Sequence, residues 1–309
     1  MQYSYRLYGM NVLSDLYFPQ LCGLETEEGS GASLKAEIRS MTEEEERQFR
    51  REHGESVCGS GIGSGISWLC NRNLLLTVEQ GMYLKYHIRE KGNLKYVRTY
   101  LLGFGMALLC LQQGRLPFHC SALETPEGEA VLIAGESGAG KSTLTGNLLR
   151  ADYRFLADDM AVVDVSREDG VWVYPAFPWM KLCRDAAVRQ GYSLEQLHYI
   201  DEKKDKFLVP YTGAFRTEGV RVKQFILLGK FPENGSREVM TEKITGAESM
   251  IVYKENLFLR HLWKGQDPGI KVWQNCLKMA GRIPVYAVKR SAAGDSTARV
   301  AAEVRWLNG

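Results

Sequence analysis

The segment Gly135-Glu136-Ser137-Gly138-Ala139-Gly140-Lys141-Ser142 constrains this chain more than any other. It matches G-x-x-x-x-G-K-[ST] at every fixed position, a coincidence expected in roughly one chain in a hundred of this length at average residue usage. An apolar run, Ala130 to Ala134, precedes it, and Leu144, Leu148 and Leu149 follow at helical spacing. That order of strand, glycine loop and helix predicts an α/β domain. Glycines let the backbone turn tightly and aim its N–H groups inward, forming an anion nest at a helix amino terminus. Lys141 adds a point charge for the β- and γ-phosphates of a nucleotide such as ATP, and the Ser142 hydroxyl suits Mg²⁺. The expected nucleotide contacts are Gly135, Glu136, Ser137, Gly138, Ala139, Gly140, Lys141, Ser142 and Thr143.

A nucleotide site also needs carboxylates, and Asp158-Asp159 ends the next apolar run, Tyr153 to Ala157. Ligands of α/β sheets collect beyond the carboxyl ends of the strands, so the pair should face the loop. Adjacent residues of an extended segment point to opposite sides, which divides the labour. One of the two is expected to join Ser142 in holding the metal and the other to accept a proton from an attacking hydroxyl. Taken alone, His119 is an ordinary structural histidine. Lys203, Lys204 and Lys206 lie in a polar stretch that reads as a solvated basic loop. A cation from it could also reach a transferring phosphoryl group, and by the kinase resemblance given below Lys206 is the first choice for that. Lys181 and Arg184 are the second. Trp172, Tyr174 and Trp179 are read as packing residues ahead of base-stacking ones.

The rest of the chain divides the expectation into residues 1–115, a smaller mixed α+β domain, and residues 116–309, the nucleotide-binding domain. At 309 residues there is room for two ordinary domains. In the first, Met1 to Leu13 and Leu74 to Val97 read as strands. Met41 to Arg51 reads as a helix capped by Thr42 with Glu45 closing the box. Gly59 to Gly65 reads as a hairpin or loop, and Tyr100 to Gln112 as a buried helix. In the second, strands are expected at His119 to Leu123, Met160 to Val165, Val171 to Tyr174, Gln224 to Leu228 and Pro284 to Val288. Helices are expected near Ser249 to Trp263 and Ile270 to Met279, with a last one opened by Asp295 or Ser296.

Charge and cysteines exclude several classes. A balance of 39 basic against 37 acidic residues, net +2, gives no footprint for nucleic acid or an acidic membrane surface. The longest apolar stretch, Leu101 to Leu111, is about half of what a bilayer helix needs. Seven cysteines, Cys22, Cys58, Cys70, Cys110, Cys120, Cys183 and Cys276, form an odd, dispersed set without a C-x-x-C pair. They read as reduced thiols of a cytoplasmic protein, not as a disulfide framework or zinc site.

From Leu116 to Val165 the chain resembles the catalytic core of the HPr kinase/phosphorylase family, whose fold is shared with phosphoenolpyruvate carboxykinases. The matching features are His119 opening a strand, the turn at Pro126, the apolar run Val131 to Ala134, the loop Gly135 to Ser142, and Ala157-Asp158-Asp159. The resemblance implies a P-loop kinase domain with Asp159 as base, Asp158 helping with Mg²⁺, and His119 beside the acceptor. Departures stand at Thr143, where the family usually has Glu, and at Ile283 to Arg290, which lacks the family's arginine- and glycine-containing segment. No acidic metal-binding element is recognisable in Pro175 to Leu182. That segment is similar instead to the related kinases of ribosomal-peptide modification systems, as are Tyr5 to Gly9 and Gly114 to His119.

The expectation is therefore an ATP- and Mg²⁺-dependent kinase acting on a hydroxyl of a peptide, a protein or a small metabolite. The amino-terminal domain would recognise the acceptor or join copies of the chain into a homo-oligomer. The rivals are a nucleotide-dependent carboxykinase and a nucleotide-binding regulator without turnover.

Overall fold

The structure, a computed structural model, describes the chain except residues 22, 26–34, 55–58, 63, 64, 202–204, 232–238, 259, 261–268, 292–295 and 309. Cys22, Cys58, Lys203, Lys204 and Asp295 lie outside the described residues, as does most of the stretch expected to be helical after residue 258. Two compact units emerge: Met1–Pro117 with Leu257–Asn275, and Phe118–Asn256 with Cys276–Gly309.

In the first unit, β1 (Tyr3–Leu7) and β2 (Met10–Ser14) form an antiparallel hairpin. The two turn residues, Tyr8 and Gly9, both have positive φ, the conformation whose twist suits a two-residue hairpin. Then follow β3 (Lys35–Ser40), α1 (Glu43–His53), β4 (Gly59–Gly61), β5 (Ile66–Cys70), β6 (Leu74–Glu79) and β7 (Tyr83–Ile88). They build a mixed sheet in the order β1-β2-β3-β7-β6-β5-β4. Thr42 caps α1 as expected, with Glu45 returning the bond to the Thr42 N–H. Arg39 and Lys85 also hold the Glu45 carboxylate, keeping its pKa well below the usual range despite burial.

Leu74 to Val97 is not all strand. Asn93 accepts from the Lys95 N–H and opens the helix α2 (Leu94–Tyr100), which runs through a π-turn at Leu101–Gly105 into α3 (Met106–Gln112). The helix is thus longer at its start than the apolar stretch alone implied. Leu94–Gln112 is long and apolar enough to cross a membrane by length and composition, with 56% of its window buried inside the chain.

The second unit has an α/β architecture. Past β8 (Leu116–Phe118), at the division between the units, come β9 (Cys120–Glu124), β10 (Ala130–Gly135), α4 (Lys141–Leu149), β11 (Arg154–Ala157), β12 (Ala161–Asp164) and β13 (Trp172–Tyr174). The chain continues through β14 (Trp179–Cys183), α5 (Arg184–Arg189), β15 (His198–Asp201), β16 (Lys206–Pro210), β17 (Val220–Phe231), β18 (Met240–Ile244) and α6 (Ala247–Glu255). After α7 (Ile270–Ala280), which the division between the units crosses after Asn275, it ends with β19 (Val285–Ser291) and α8 (Thr297–Asn308). The central strands β10, β17 and β19 run parallel, flanked on one side by antiparallel β9, beyond which β11 runs in the direction of β10 again, and on the other by antiparallel β18 on β19. Val131, Ile133, Leu144, Leu148, Val300 and Val304 share one buried cluster with β17 residues. Each such aliphatic contributes about 2 kcal/mol of transfer free energy, which is what holds α4 and α8 to the sheet.

Several strands, β3, β14, β15, β16 and β18 among them, were not expected from the sequence. β14, β16 and β15 form a separate small antiparallel sheet, pairing Lys181 with Leu208 and Cys183 with Lys206. Lys206 therefore begins a strand and does not sit in a solvated loop. His119 likewise is not part of a strand: it bends the chain between β8 and β9, its N–H donating to the Asn256 carbonyl.

Candidate active site

The glycine loop leaves β10 at Gly135, whose φ of 148° is open to glycine and strained for other residues. A β-carbon there would lie 2.6 Å from the Leu228 carbonyl oxygen of the neighbouring strand. Gly138 (φ 81°) and Gly140 (φ 106°) complete the turn, and Gly140 opens α4 without any side-chain cap. The first-turn N–H groups of α4 thus have no intrahelical acceptor, the condition for an anion site. The Lys141 ammonium curls back onto the loop, donating to the carbonyls of Gly135 (2.6 Å) and Glu136 (3.2 Å). Burial pushes its pKa down, opposed by Asp158 and reinforced by Lys206.

The two acids arrive from β11 in different settings. Asp158 accepts from the Ser121 hydroxyl of β9 and from the Lys181 N–H of β14, both at 2.8 Å. Asp159 adopts φ 66°, a left-handed conformation that aspartate tolerates better than most residues. Its Oδ2 accepts from Lys181 Nζ at 2.6 Å, and its Oδ1 lies 3.8 Å from His119 Nδ1. Burial raises the Asp159 pKa, but Lys181, through its charge and its hydrogen bond, outweighs it and, with Lys206, holds the carboxyl well below its ordinary value. His119 Nδ1 is 3.0 Å from the Asp159 carbonyl oxygen. Burial lowers the His119 pKa more than Asp159 raises it, with Lys141 pushing the same way, so the ring is neutral at neutral pH.

These groups line one cleft of about 540 Å³ within the second unit: His119, Glu136 through Thr143, Asp158, Asp159 and Lys206. Gly135 sits behind the loop, where its carbonyl holds Lys141. Of the reserve cations, Lys181 lines the cleft. Arg184 does not, being bound to Asp205 at 2.6 and 2.9 Å. Trp172, Tyr174 and Trp179 do not line it either. Trp172 instead lies under Arg167 and donates to Asp169.

Among the described residues no group of three or more His, Cys, Asp or Glu side chains could hold a metal. Asp158 and Ser142 both line the cleft, and one carboxylate with a hydroxyl is a donor set of the kind Mg²⁺ takes, since it keeps several waters and is held by one or two carboxylates plus substrate phosphates.

Sequence reasoning missed Arg290, the Arg189–Asp185 turn of α5 and the start of α8, all of which line the cleft. Arg290 comes from β19, and its Nε stands 3.4 Å from the Ala139 carbonyl of the loop. Only the parallel pairing of β19 with β17 brings it there, and no local pattern in the sequence signals that.

No family model matches the chain, and no curated protein does. Among solved structures it is similar to the Hpr(Ser) kinase/phosphatase from Coxiella burnetii, at 14% identity and a TM-score of 0.32. The match covers 62% of this chain and 95% of that one, a likeness too distant to transfer the role of any residue.

Proposed function

We propose that the chain is a phosphotransferase of the HPr-kinase-like kind, moving the γ-phosphoryl group of ATP to a hydroxyl acceptor with Mg²⁺. The observation that carries this reading is the meeting of the glycine loop, Lys141, Asp158, Asp159 and Lys206 in one cleft. Bound Mg²⁺ supplies charge neutralisation at the transferring group. Lys141 exchanges the carbonyls of Gly135 and Glu136 for phosphate oxygens, and the open N–H groups of α4 face the same tail. Asp159 is ionised at neutral pH and has Oδ2 occupied by Lys181, so Oδ1 is the atom that takes the acceptor's proton. Neutral His119 stands beside that oxygen and orients the incoming hydroxyl. Lys206 and Lys181 spread positive charge around the transferring group, as phosphoryl transfer demands.

The acceptor in this reading is a serine or threonine of a peptide or protein, or a small hydroxylated metabolite, met in the cytoplasm. Residues 1–115 in this reading serve to recognise the acceptor or to join copies of the chain. Transfer of labelled γ-phosphate to a panel of hydroxyl acceptors tests the reading. Asp159→Asn should lower transfer by about 10²- to 10⁴-fold while nucleotide binding stays within a few-fold. Equal rates would remove Asp159 from the reaction, and absence of Mg-ATP binding would remove the whole reading.

A further inference from the structure

A second hollow of about 280 Å³ adjoins the cleft, sharing Thr143, Ala186, Arg189 and Thr297 with it. It lies on the side of Thr143 and α5, whereas Asp158, Asp159 and Lys206 line the cleft alone. Thr143 and Asn147 on α4, and Arg150 just past its end, follow one face at i, i+4 and i+7. That stripe extends about 10 Å along the helix, enough for a sugar and a base.

The hollow's walls have a defined polarity. Asn147 Nδ2 donates to the Thr143 carbonyl at 3.0 Å, and Gln190 Nε2 donates to the Ser142 carbonyl at 3.3 Å. Carbonyl oxygens demand donors, so one N–H of each amide is committed inward and fixes which way the amide faces. Both amide oxygens remain as acceptors, and neither receives a hydrogen bond among the described residues. Gly146 makes this possible. A β-carbon at that buried, mid-helix position would lie 2.7 Å from Gln190 Nε2 and 2.9 Å from its Cδ. A glycine there costs about 1 kcal/mol of helix propensity, and in exchange the Gln190 amide lies flat across α4. Arg150 and Arg189 add donors at the hollow's edge.

We infer that this hollow is the nucleoside subsite, and that it reads a base bearing an exocyclic amino group through the oxygens of Asn147 and Gln190. The inference rests on the phosphate-loop reading above. An amino group donates to those oxygens, whereas an oxo group in its place sets acceptor against acceptor.

Calorimetry with Mg²⁺ and four probes, tripolyphosphate, ATP, GTP and ITP, tests it. ATP or GTP should bind at least about tenfold more tightly than tripolyphosphate, with ITP behind the preferred one by about three- to tenfold, the loss of one or two hydrogen bonds. Asn147→Ala should reduce the advantage over ITP, the Gln190 oxygen keeping the remainder, and leave tripolyphosphate binding unchanged. Gly146→Ala should do the same by displacing Gln190, in a protein no less stable than the parent. Nucleotides binding no tighter than tripolyphosphate, ITP binding as well as both amino-bearing nucleotides, or equal losses for tripolyphosphate and ATP in the variants would each overturn the subsite alone. Failure of tripolyphosphate and nucleotides alike would overturn the phosphate-loop reading, and the subsite with it.

Discussion

Lys181 fixes both acids of the cleft. Its ammonium bonds Asp159 Oδ2 at 2.6 Å, and its backbone N–H donates to Asp158 Oδ2 at 2.8 Å. The side chains of Lys181 and Asp159 are only 25% and 18% exposed, so the pair is shielded enough for its loss to be felt.

Lys181→Met leaves Asp159 in the same enclosed place without its main counter-charge. In the parent the carboxyl titrates below its unfolded value, so its charged form stabilises the fold above the unfolded pKa. That stabilisation disappears as pH falls through the folded value. In the variant burial dominates and the carboxyl titrates higher. Urea denaturation from pH 8 to pH 4 should show a loss of about 2 kcal/mol at neutral pH, less than a fully buried pair would lose. The acid limb of the pH–rate profile should move toward neutrality, and Lys181→Arg should restore most of it. An unmoved acid limb would show that Lys181 does not govern the Asp159 charge.

Gly135→Ala and Gly138→Ala separate close approach from backbone strain. At Gly135 the added methyl meets the Leu228 carbonyl oxygen at 2.6 Å, backbone that cannot yield without shifting the β10–β17 pairing. At Gly138 the nearest atom is Lys230 Nζ at 3.8 Å, leaving only the cost of positive φ. Thermal denaturation should show Gly135→Ala losing about 3 kcal/mol or more and Gly138→Ala about 1 kcal/mol. Equal losses would contradict the packing of Gly135 against β17.

The parts legible in the sequence were those whose chemistry is local. The loop Gly135 to Ser142 and the Thr42–Glu45 box each join partners a few residues apart, so spacing alone reveals them. Asp158 and Asp159 were legible because their strand order follows from the loop. The β14–β16 pairing was not. Its strands are five residues each, and β16 follows a Lys-rich stretch and ends on Pro210. Yet that pairing places Lys181 against both acids and Lys206 opposite Cys183. Arg290 meets Ala139 across a separation of 151 residues, through strands whose neighbours are chosen by the whole sheet. Asn93 turned an expected strand into a helix, because one capping oxygen outweighed the β-favouring Tyr96 and Val97.

Asn308 anchors the last helix. It is 2% exposed, accepts from Gln224 Nε2 at 2.5 Å and donates to the Tyr153 hydroxyl at 3.0 Å. Asn308→Ala strands the Gln224 amide, itself 2% exposed, without its partner. An orphaned buried polar group costs about 1–3 kcal/mol. The variant should therefore unfold with a stability lower by about 3 kcal/mol once the loss of the Tyr153 bond is included. Chemical denaturation measures it, and a change under about 0.5 kcal/mol would mean that α8 is held by Val300 and Val304 alone.

The thiols give a reading of the cleft that needs no acceptor. Cys183 is exposed and lines the cleft opposite Lys206, whereas Cys70, Cys110, Cys120 and Cys276 are buried. Burial pushes the Cys110 thiol up to about 11 and the Cys276 thiol up to about 12, and raises Cys120 as well. Thiolates are the reactive form, so these buried groups are protected both by access and by charge. Brief treatment of the native protein with N-ethylmaleimide, followed by peptide mass spectrometry, should label Cys183 before Cys110, Cys120 or Cys276. Saturating Mg-ATP should slow labelling at Cys183, because the nucleotide fills the cleft that the thiol borders. Labelling of Cys183 at an unchanged rate under saturating nucleotide would place the bound nucleotide away from α5 and β14.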